Sequence, residues 1–225
     1  MNNETKVIDF FTGEPYSKHK FERHPTSGIV LGERIIDEIV KLNINPLVID
    51  AGCGVNPFKG MFDNLIGFDI APYPEADFQA SFHQAHHIFN REFADVVFAL
   101  GSCNFGTMEE NMYYFDYFMQ WLKPGGLCAV RVHIDRKPEA SKAGSGVVHV
   151  PWTIDSADAC AHQWFKNYFD VVEMHIETMN TPPYSKLAVW IWKKKKRIGA
   201  SKCCLLYTSD AADDSLRVDL GGRRI

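Results

Sequence analysis

Residues 47–58 read LVIDAGCGVNPF, and this stretch decides the fold. An apolar run ends on Asp50, and Gly52, Gly54 and the pair Asn56-Pro57 follow it closely. A short apolar run of this kind is typical of a strand that is buried on both faces of a sheet. The glycines permit a tight turn and remove side chains where a ligand must approach the backbone. The stretch therefore predicts a buried strand that ends at a ligand-binding turn, with a carboxylate beside it.

The rest of the chain alternates between helical and strand patterns. The apolar residues of 29–42 follow a helical stripe, and the capping box Thr107-Met-Glu-Glu110 begins another helix, which ends at Lys123-Pro-Gly-Gly126. Strand patterns occur at 46–50, 65–70, 77–82, 94–100 and 127–133, and a helix at 156–169 leads to closing strands at 171–176 and 187–192. This alternation predicts a mostly parallel sheet with helices on both faces, and the closing hairpin predicts one antiparallel strand.

The composition predicts one globular domain in the cytoplasm. The chain has 225 residues, of which 46% are hydrophobic and 23% charged, and its formal net charge of −4 provides no basic field for nucleic acid. No apolar run has transmembrane length, and the N-terminus lacks the pattern of a signal peptide. The six cysteines include no Cys-x-x-Cys pair, which fits reduced thiols. We expect a cytoplasmic protein without a membrane segment.

The domain is predicted to span residues 1–202. It divides into an N-terminal helical region at 1–45, a core at 46–133, and a substrate loop with closing strands at 134–197. Residues 203–225 resemble the translation of a sequencing-library adapter read in frame, and we expect no evolved function there. The alternative for this segment is a natural disordered tail.

Two acids at strand ends indicate a nucleoside-containing cofactor. Asp69 ends the second predicted strand, where a carboxylate can accept hydrogen bonds from both hydroxyls of a ribose. A dinucleotide site requires a third glycine, but Pro57 occupies that position. The carboxylate of Asp50 would repel a pyrophosphate and attract the ammonium of a methionine group. The residues therefore favour S-adenosyl-L-methionine over a nicotinamide dinucleotide.

These motifs together resemble the class I S-adenosylmethionine-dependent methyltransferases, and the type 11 methyltransferases in particular. The matching pieces are Asp50-Ala-Gly-Cys-Gly54, Asp69, Ala94-Asp-Val-Val-Phe-Ala and Leu122-Lys-Pro-Gly-Gly126. The resemblance implies an α/β fold, a Rossmann-like three-layer sandwich around a mostly parallel seven-stranded sheet whose last strand is antiparallel.

The resemblance also implies roles for individual residues. Asp50 would face the methionine end of the cofactor, Asp69 would hold the ribose hydroxyls, and Ile70 would pack on the adenine. The remaining residues expected to line the cofactor are Ala51, Gly52, Cys53, Gly54, Ser81, Phe82, Leu100 and Gly101. The alternatives are helix caps or turn acids for the two aspartates, a plain tight turn for the glycines, and ordinary packing for Ser81 and Phe82.

Two residues are candidates for the chemistry. His133, at the end of the fifth strand, could act as a base or be a structural, hydrogen-bonded histidine. Asn104 begins Asn104-Phe-Gly-Thr, where enzymes that methylate nucleic-acid amino groups carry Asp/Asn-Pro-Pro-Tyr, and the missing prolines and tyrosine put adenine methylation in doubt. His149 and Trp152 lie in the long loop, which either covers the substrate or is solvated. No metal site is expected from the histidines of 83–87.

The sequence thus predicts methyl transfer from S-adenosyl-L-methionine to an unidentified acceptor. A small-molecule substrate is favoured, while a nucleic-acid or protein acceptor remains open, and the oligomeric state is not indicated. Two alternatives remain, which are a non-catalytic cofactor-binding module of the same fold and an NAD(P)-dependent reductase.

Overall fold

The computed structural model of the protein describes residues 3–12, 27–41, 45–61, 63–134, 147–178 and 186–196. The predicted boundary at residue 202, the tail at 203–225 and residues 135–146 of the long loop lie outside these ranges. Within them, no helix is long and apolar enough to cross a membrane.

The described residues form one mixed sheet of seven strands in the order β3-β2-β1-β4-β5-β7-β6. The strands are β1 Val48–Ala51, β2 Leu65–Asp69, β3 Phe78–Gln79, β4 Ala94–Ala99, β5 Leu122–Ile134, β6 Phe169–Thr178 and β7 Lys186–Lys194. Strand β7 is antiparallel to both of its neighbours, and the other pairs are parallel. The predicted Rossmann-like sheet, with an antiparallel last strand, is confirmed.

Helices cover both faces of the sheet. They are α1 Asn3–Thr12, α2 Ser27–Lys41, α3 Phe82–Ile88, α4 Met108–Trp121 and α5 Ile154–Ala159, with a 3₁₀ turn at Ser102–Asn104 and a π-helical turn at Cys160–Trp164. Helices α3, α4 and α5 bury an aromatic core against one face, in which the Phe115 ring lies 5.5 Å from that of Trp192 and 5.9 Å from that of Phe165. Helix α2 packs on the opposite face.

Three predicted element boundaries are wrong. The strand expected at 77–82 covers only Phe78–Gln79, because Ser81 and Gln84 form a capping box that begins α3 at Phe82. Strand β5 begins earlier than expected, at Leu122, and it takes up the Lys-Pro-Gly-Gly segment through a register shift between Ala94 and Val96. The helix expected at 156–169 is short and continues as the π-helical turn.

The connection between β1 and β2 brings α2 close to the end of β1. Residues 52–61, 63 and 64 of this connection contain turns but no helix. The ring of Phe58 lies on the bare backbone of Gly32 in α2, where an added Cβ would be 2.3 Å from the ring. The other side of the ring faces Phe98 of β4, with 5.2 Å between the ring centroids. This packing places the first turn of α2 beside the carboxyl end of the sheet.

The last residue of β7, Lys194, contributes to the fold by bonding to the end of α4. Lys194, with 13% of its side chain exposed, donates from Nζ to the carbonyls of Met119 (2.8 Å) and Leu122 (2.7 Å) and pairs with Glu92 at 3.3 Å. These carbonyls lie at the C-terminus of α4, where the helix has no N–H donors of its own for them and where its dipole favours a cation.

We expect Lys194→Met to lower the free energy of unfolding by about 1–3 kcal/mol, because it leaves two carbonyls and a carboxylate without their donor. Urea unfolding followed by fluorescence would measure this, since Trp121, Trp152, Trp190 and Trp192 are all fully buried. The exposed neighbour Lys193 provides the control, and Lys193→Met should change stability by less than about 0.5 kcal/mol. Equal effects of the two substitutions would contradict the capping role.

Candidate active site

The site lies where the order of strands reverses. Strand β1 pairs with β2 on one side and with β4 on the other, and the sheet continues to β3 beyond β2 and to β5 beyond β4. Asp50 of β1 is in register with Gly67 of β2 and Phe98 of β4. In open α/β sheets, ligands bind at this point, beyond the carboxyl ends of the strands.

A cleft with about 400 Å³ of empty space opens at this position. Its lining residues come from the first turn of α2, the end of β1 and the turn that follows it, and the end of β4. They are Gly28, Ile29, Asp50, Gly52, Cys53, Pro57, Phe58, Leu100 and Gly101. Five of them were expected cofactor contacts, namely Asp50, Gly52, Cys53, Leu100 and Gly101.

Asp50 is a buried acid that faces the cleft. Only 4% of its surface is exposed, and no donor within the described part of the chain bonds to its carboxylate. Burial, and secondarily the charge of Asp69, raise its pKa to about 8. A carboxylate in this position is costly unless a cation neutralises it, so the site favours a positively charged ligand group.

Asp69 is held in a fixed orientation at the end of β2. Its Oδ2 accepts from the backbone N–H of Gly54 (2.8 Å) and its Oδ1 from that of Ala71 (2.9 Å). Burial raises the pKa of Asp69, and its hydrogen bonds to backbone N–H groups oppose that rise. A Cβ added to Gly54, whose φ is +53°, would meet no atom within 4 Å. The acceptors of Asp69 are therefore oriented by the turn at Gly54, although neither Gly54 nor Asp69 lines the cleft.

Gly52 has a structural reason to be glycine. Its φ is +79°, and an added Cβ would lie 2.3 Å from Cβ of Ser102, in the turn after β4. The hydroxyl of Ser102 donates to the carbonyl of Ala51 at 2.6 Å, which holds this turn against the end of β1. Ala51 itself is fully buried in the core and is absent from the cleft lining.

Cys53 and the residues after β2 and β3 have distinct surroundings. The Cys53 thiol donates to the carbonyl of Gly54 at 3.6 Å, and burial raises its pKa. Ile70 is partly exposed just after β2. Ser81 caps α3, and the ring of Phe82 packs 4.6 Å from that of Tyr114. Like Gly54 and Asp69, none of Ile70, Ser81 and Phe82 lines the cleft.

Asn104 connects three segments around the site. Its Nδ2 donates to the carbonyl of Gly101 (2.7 Å), and its Oδ1 accepts from the N–H of His133 (2.7 Å). Its own carbonyl accepts from the N–H of Val150 at 3.0 Å. Both ends of the amide are thus bonded to backbone groups, so the side chain joins the ends of β4 and β5. His133 is half-buried at the end of β5.

Residues 147–152 of the long loop pack against the turn after β4. The N–H of Gly106 donates to the carbonyl of Val148 (2.9 Å), and the ring of His149 lies 4.9 Å from that of Phe105. Trp152 Nε1 donates to the carbonyl of Cys103 at 2.9 Å. His149 and Trp152 are fully buried, so these two side chains are not solvated, whereas Val148 between Val147 and His149 is exposed.

Asn56 lies in the turn after β1, and no role was predicted for its side chain. It is fully buried with φ at +47°, and its Nδ2 donates to the carbonyl of Glu75 at 3.1 Å. Its amide lies over Gly67, where an added Cβ would be 2.5 Å from Nδ2. Asparagine tolerates this backbone conformation better than most residues, so the Asn-Pro pair was the available signal.

The histidines of α3 contact an aromatic side chain. His83 Nδ1 lies 2.8 Å from the hydroxyl of Tyr117, and the ring of His86 stacks on Tyr117 with 4.1 Å between centroids. Within the described ranges, no group of three or more histidine, cysteine or acidic side chains is arranged to hold a metal ion.

Comparison with known proteins identifies the fold. No family model and no curated protein matches the sequence. Among solved structures, 1,6-didemethyltoxoflavin-N1-methyltransferase of Burkholderia thailandensis, with bound 1,6-didemethyltoxoflavin and S-adenosylhomocysteine, has a TM-score of 0.60 at 13% identity and covers 86% of this chain and 87% of its own. Magnesium protoporphyrin IX methyltransferase of Synechocystis PCC 6803, with bound S-adenosylhomocysteine, has a TM-score of 0.58 at 12% identity. The match covers 86% of this chain and 100% of the methyltransferase.

The chain therefore has the fold of class I S-adenosylmethionine-dependent methyltransferases, as the motifs predicted. The same fold also supports other reactions, since the [4+2]-cyclase SpnF has a TM-score of 0.55 at 13% identity and covers 84% of this chain and 94% of its own. At these identities the likeness concerns the fold alone, and the reaction has to be argued from the site.

Proposed function

We propose that the protein is an S-adenosyl-L-methionine-dependent methyltransferase that acts on a small molecule. The observation that carries this proposal is the buried carboxylate of Asp50, which faces the cleft and has no donor within the described part of the chain. S-adenosyl-L-methionine carries an ammonium and a sulfonium, and either charge offsets the cost of burying an ionised acid.

The other residues of the site fit the same cofactor. Asp69 offers oriented acceptors to the ribose hydroxyls, and the open space over Gly54 admits the ligand next to the backbone. Leu100 and Gly101 form the wall at the end of β4. Ile70, Ser81 and Phe82 remain proposed contacts for the adenine side, although they lie outside the cleft lining.

A nicotinamide dinucleotide fits this site poorly. Pyrophosphate groups bind at the N-terminus of a helix that follows the first strand, but residues 52–61, 63 and 64 form only turns. Asp50 is also a buried acid beside the turn after β1, where a pyrophosphate would have to bind. These observations support the choice of cofactor and weigh against the reductase alternative.

The chain's own residues would contribute mainly by positioning. When bound, S-adenosyl-L-methionine supplies an activated methyl group on a sulfonium whose leaving group is a neutral thioether. Displacement of this kind needs alignment of donor and acceptor more than it needs a strong base. We assign His133 as the candidate base, at the end of β5, and Asn104 as a positioning residue, because its amide is bonded to the Gly101 carbonyl and the His133 N–H.

The acceptor is proposed to be a small molecule, by analogy with the two methyltransferases whose fold the chain shares. The competing proposal is a protein that binds the cofactor without transferring its methyl group, and the fold of the [4+2]-cyclase SpnF supports keeping it. An assay of radiolabelled methyl transfer to pooled hydroxyl, amine and thiol acceptors separates the two. Methylated product supports a methyltransferase, and binding without product from any acceptor supports the competing proposal.

Calorimetric titration tests the choice of cofactor. We expect S-adenosylmethionine and S-adenosylhomocysteine to bind and NADH not to bind. Asp69→Ala should weaken both adenosyl ligands by about 10–100-fold, because the ribose hydroxyls lose charged acceptors. Asp69→Asn, which keeps one acceptor oxygen for the backbone N–H groups, is the matched variant that separates ribose binding from local folding. Failure of the folded protein to bind either adenosyl ligand would overturn the proposal, and binding of NADH alone would support a reductase.

A further inference from the structure

A short segment of the long loop, residues 147–152, is bonded to the turn after β4. The N–H of Gly106 donates to the carbonyl of Val148 at 2.9 Å, and the N–H of Val150 donates to that of Asn104 at 3.0 Å. An antiparallel bridge lies between these two bonds. The segment and the turn thus form a small two-stranded ribbon, so a shift of one strand alone would break these bonds.

Trp152 fastens the end of this segment to the same turn from inside the protein. Its side chain is fully buried, and its Nε1 donates to the carbonyl of Cys103 at 2.9 Å. The centroid of its ring lies 5.9 Å from that of Trp190 and 6.2 Å from that of Phe115, in the aromatic core. Because burial leaves this N–H no water to bond with, its bond to the turn is costly to break.

The other side of the turn forms part of the cleft wall. Gly101, its first residue, lines the cleft. The carbonyl of Gly101 accepts from Asn104 Nδ2 at 2.7 Å, and Asn104 is also a residue to which the segment bonds. Because Gly101 has no side chain to hold it, its position in the wall depends on the bonds of the turn that carries it. Residues 147–152 do not line the cleft, so they act on this wall only through Asn104 and Cys103.

We propose that Trp152 is a positioning residue for cofactor binding, which holds segment 147–152 on the turn after β4 and keeps that turn in the form that binds the cofactor. The proposal rests on the proposed function. Because the segment lies in the predicted substrate loop, the same bonds couple the acceptor side of the site to the cofactor. Coupling between two sites is reciprocal, so a ligand that holds Gly101 in place also holds the segment in place.

A pair of matched tryptophan variants tests the proposal. Trp152→Phe removes the N–H that binds the turn after β4, whereas Trp192→Phe removes an equally buried N–H that donates to the carbonyl of Ala161, also at 2.9 Å. In calorimetric titrations with S-adenosylhomocysteine, we expect Trp152→Phe to weaken binding by about three- to tenfold and Trp192→Phe to leave it unchanged, because only the first bond reaches the cofactor wall. Urea unfolding should show a similar loss of stability in both variants. Equal weakening by the two substitutions, or no weakening by Trp152→Phe, would overturn the proposal.

Hydrogen exchange on the unmodified protein decides the coupling even if Trp152→Phe fails to fold. Binding of S-adenosylhomocysteine should slow exchange of the Gly106 and Val150 amides by about tenfold. The amides of Phe93 and Lys195, which are bonded to carbonyls at the opposite end of the sheet, should slow by less than about twofold. Equal slowing of all four amides, or none, would overturn the proposal and leave the proposed function intact, since the ligand still binds. If S-adenosylhomocysteine did not bind to the folded protein, both proposals would fail.

Discussion

Asp50→Asn is expected to stabilise the ligand-free protein at pH 7 and, at the same time, to abolish measurable binding of S-adenosylhomocysteine. Asp50 is buried without a donor in the described part of the chain, and its pKa is raised from 3.8 to about 8. The folded protein therefore keeps a proton on Asp50 in a pH range in which the unfolded chain has lost it. Asparagine has the same shape but does not titrate, so its protonation cannot differ between the folded and the unfolded chain. It also carries no charge with which to form an ion pair with the ammonium.

The pH dependence gives this prediction a direction. Between pH 3.8 and about 8, unfolding releases the proton of Asp50, so a rise in pH favours the unfolded chain. The destabilisation by Asp50 grows through that range and is constant above it. One pKa unit corresponds to about 1.4 kcal/mol, and the unpaired amide of asparagine cancels part of the gain, so we expect stabilisation by about 1–3 kcal/mol at pH 7.

Ligand binding should show the opposite trend with pH. Because the ammonium needs an ionised Asp50, the affinity for S-adenosylhomocysteine should fall as the pH is lowered from about 8, the pKa of Asp50. Thermal melts and calorimetric titrations from pH 6 to 9 measure both trends on the same samples. Asp170→Asn is the control, since that side chain is 68% exposed, and it should leave stability and affinity unchanged. A less stable Asp50→Asn protein that still bound the ligand would contradict the assignment of Asp50.

The parts of the site that could be predicted from sequence are those whose residues lie within one strand and the turn that follows it. Asp50 and Asp69 were predicted as cofactor contacts because an acid at the end of a buried strand lies at the edge where parallel strands meet, and of the two only Asp50 lines the cleft. The alternation of helices and strands predicted the sheet, since each element carries its own period. The boundary of α3 was missed because a capping box outweighed the strand pattern of 77–82.

Residues brought together from distant segments could not be predicted in the same way. Gly28 reaches the cleft because Phe58 packs onto Gly32, and nothing in the local pattern of α2 indicates that contact. Arg131 lies within an otherwise apolar strand, where sequence alone does not distinguish a buried charge from an exposed one. The sequence predicted Asn104 as a candidate for the chemistry, but its two backbone partners depend on the packing of β4 against β5.

Gly52→Ala is expected to be the most destabilising single-methyl change at the site. The new Cβ would lie 2.3 Å from Cβ of Ser102, and the φ of +79° is unfavourable for alanine. The backbone conformation costs about 1–2 kcal/mol and the overlap about 1–3 kcal/mol more, so we expect a loss of about 2–5 kcal/mol in the free energy of unfolding. Gly54 has a φ of +53°, but no atom lies within 4 Å of the Cβ that Gly54→Ala would add. Gly54→Ala should therefore lower the free energy of unfolding only by the cost of the backbone conformation, about 1–2 kcal/mol.

A pair of second substitutions separates the two causes. Ser102→Gly removes the Cβ that the new methyl group would strike, and it should restore about 1–3 kcal/mol to the Gly52→Ala protein. Ser102→Ala removes the hydroxyl that donates to Ala51 but keeps that Cβ, so it should restore nothing. Urea unfolding of the single and double variants measures the coupling. If Ser102→Ala rescued Gly52→Ala as well as Ser102→Gly did, the overlap would not be the cause. If only glycine rescued it, close packing of the turn after β4 would require glycine at position 52 whether or not a cofactor binds.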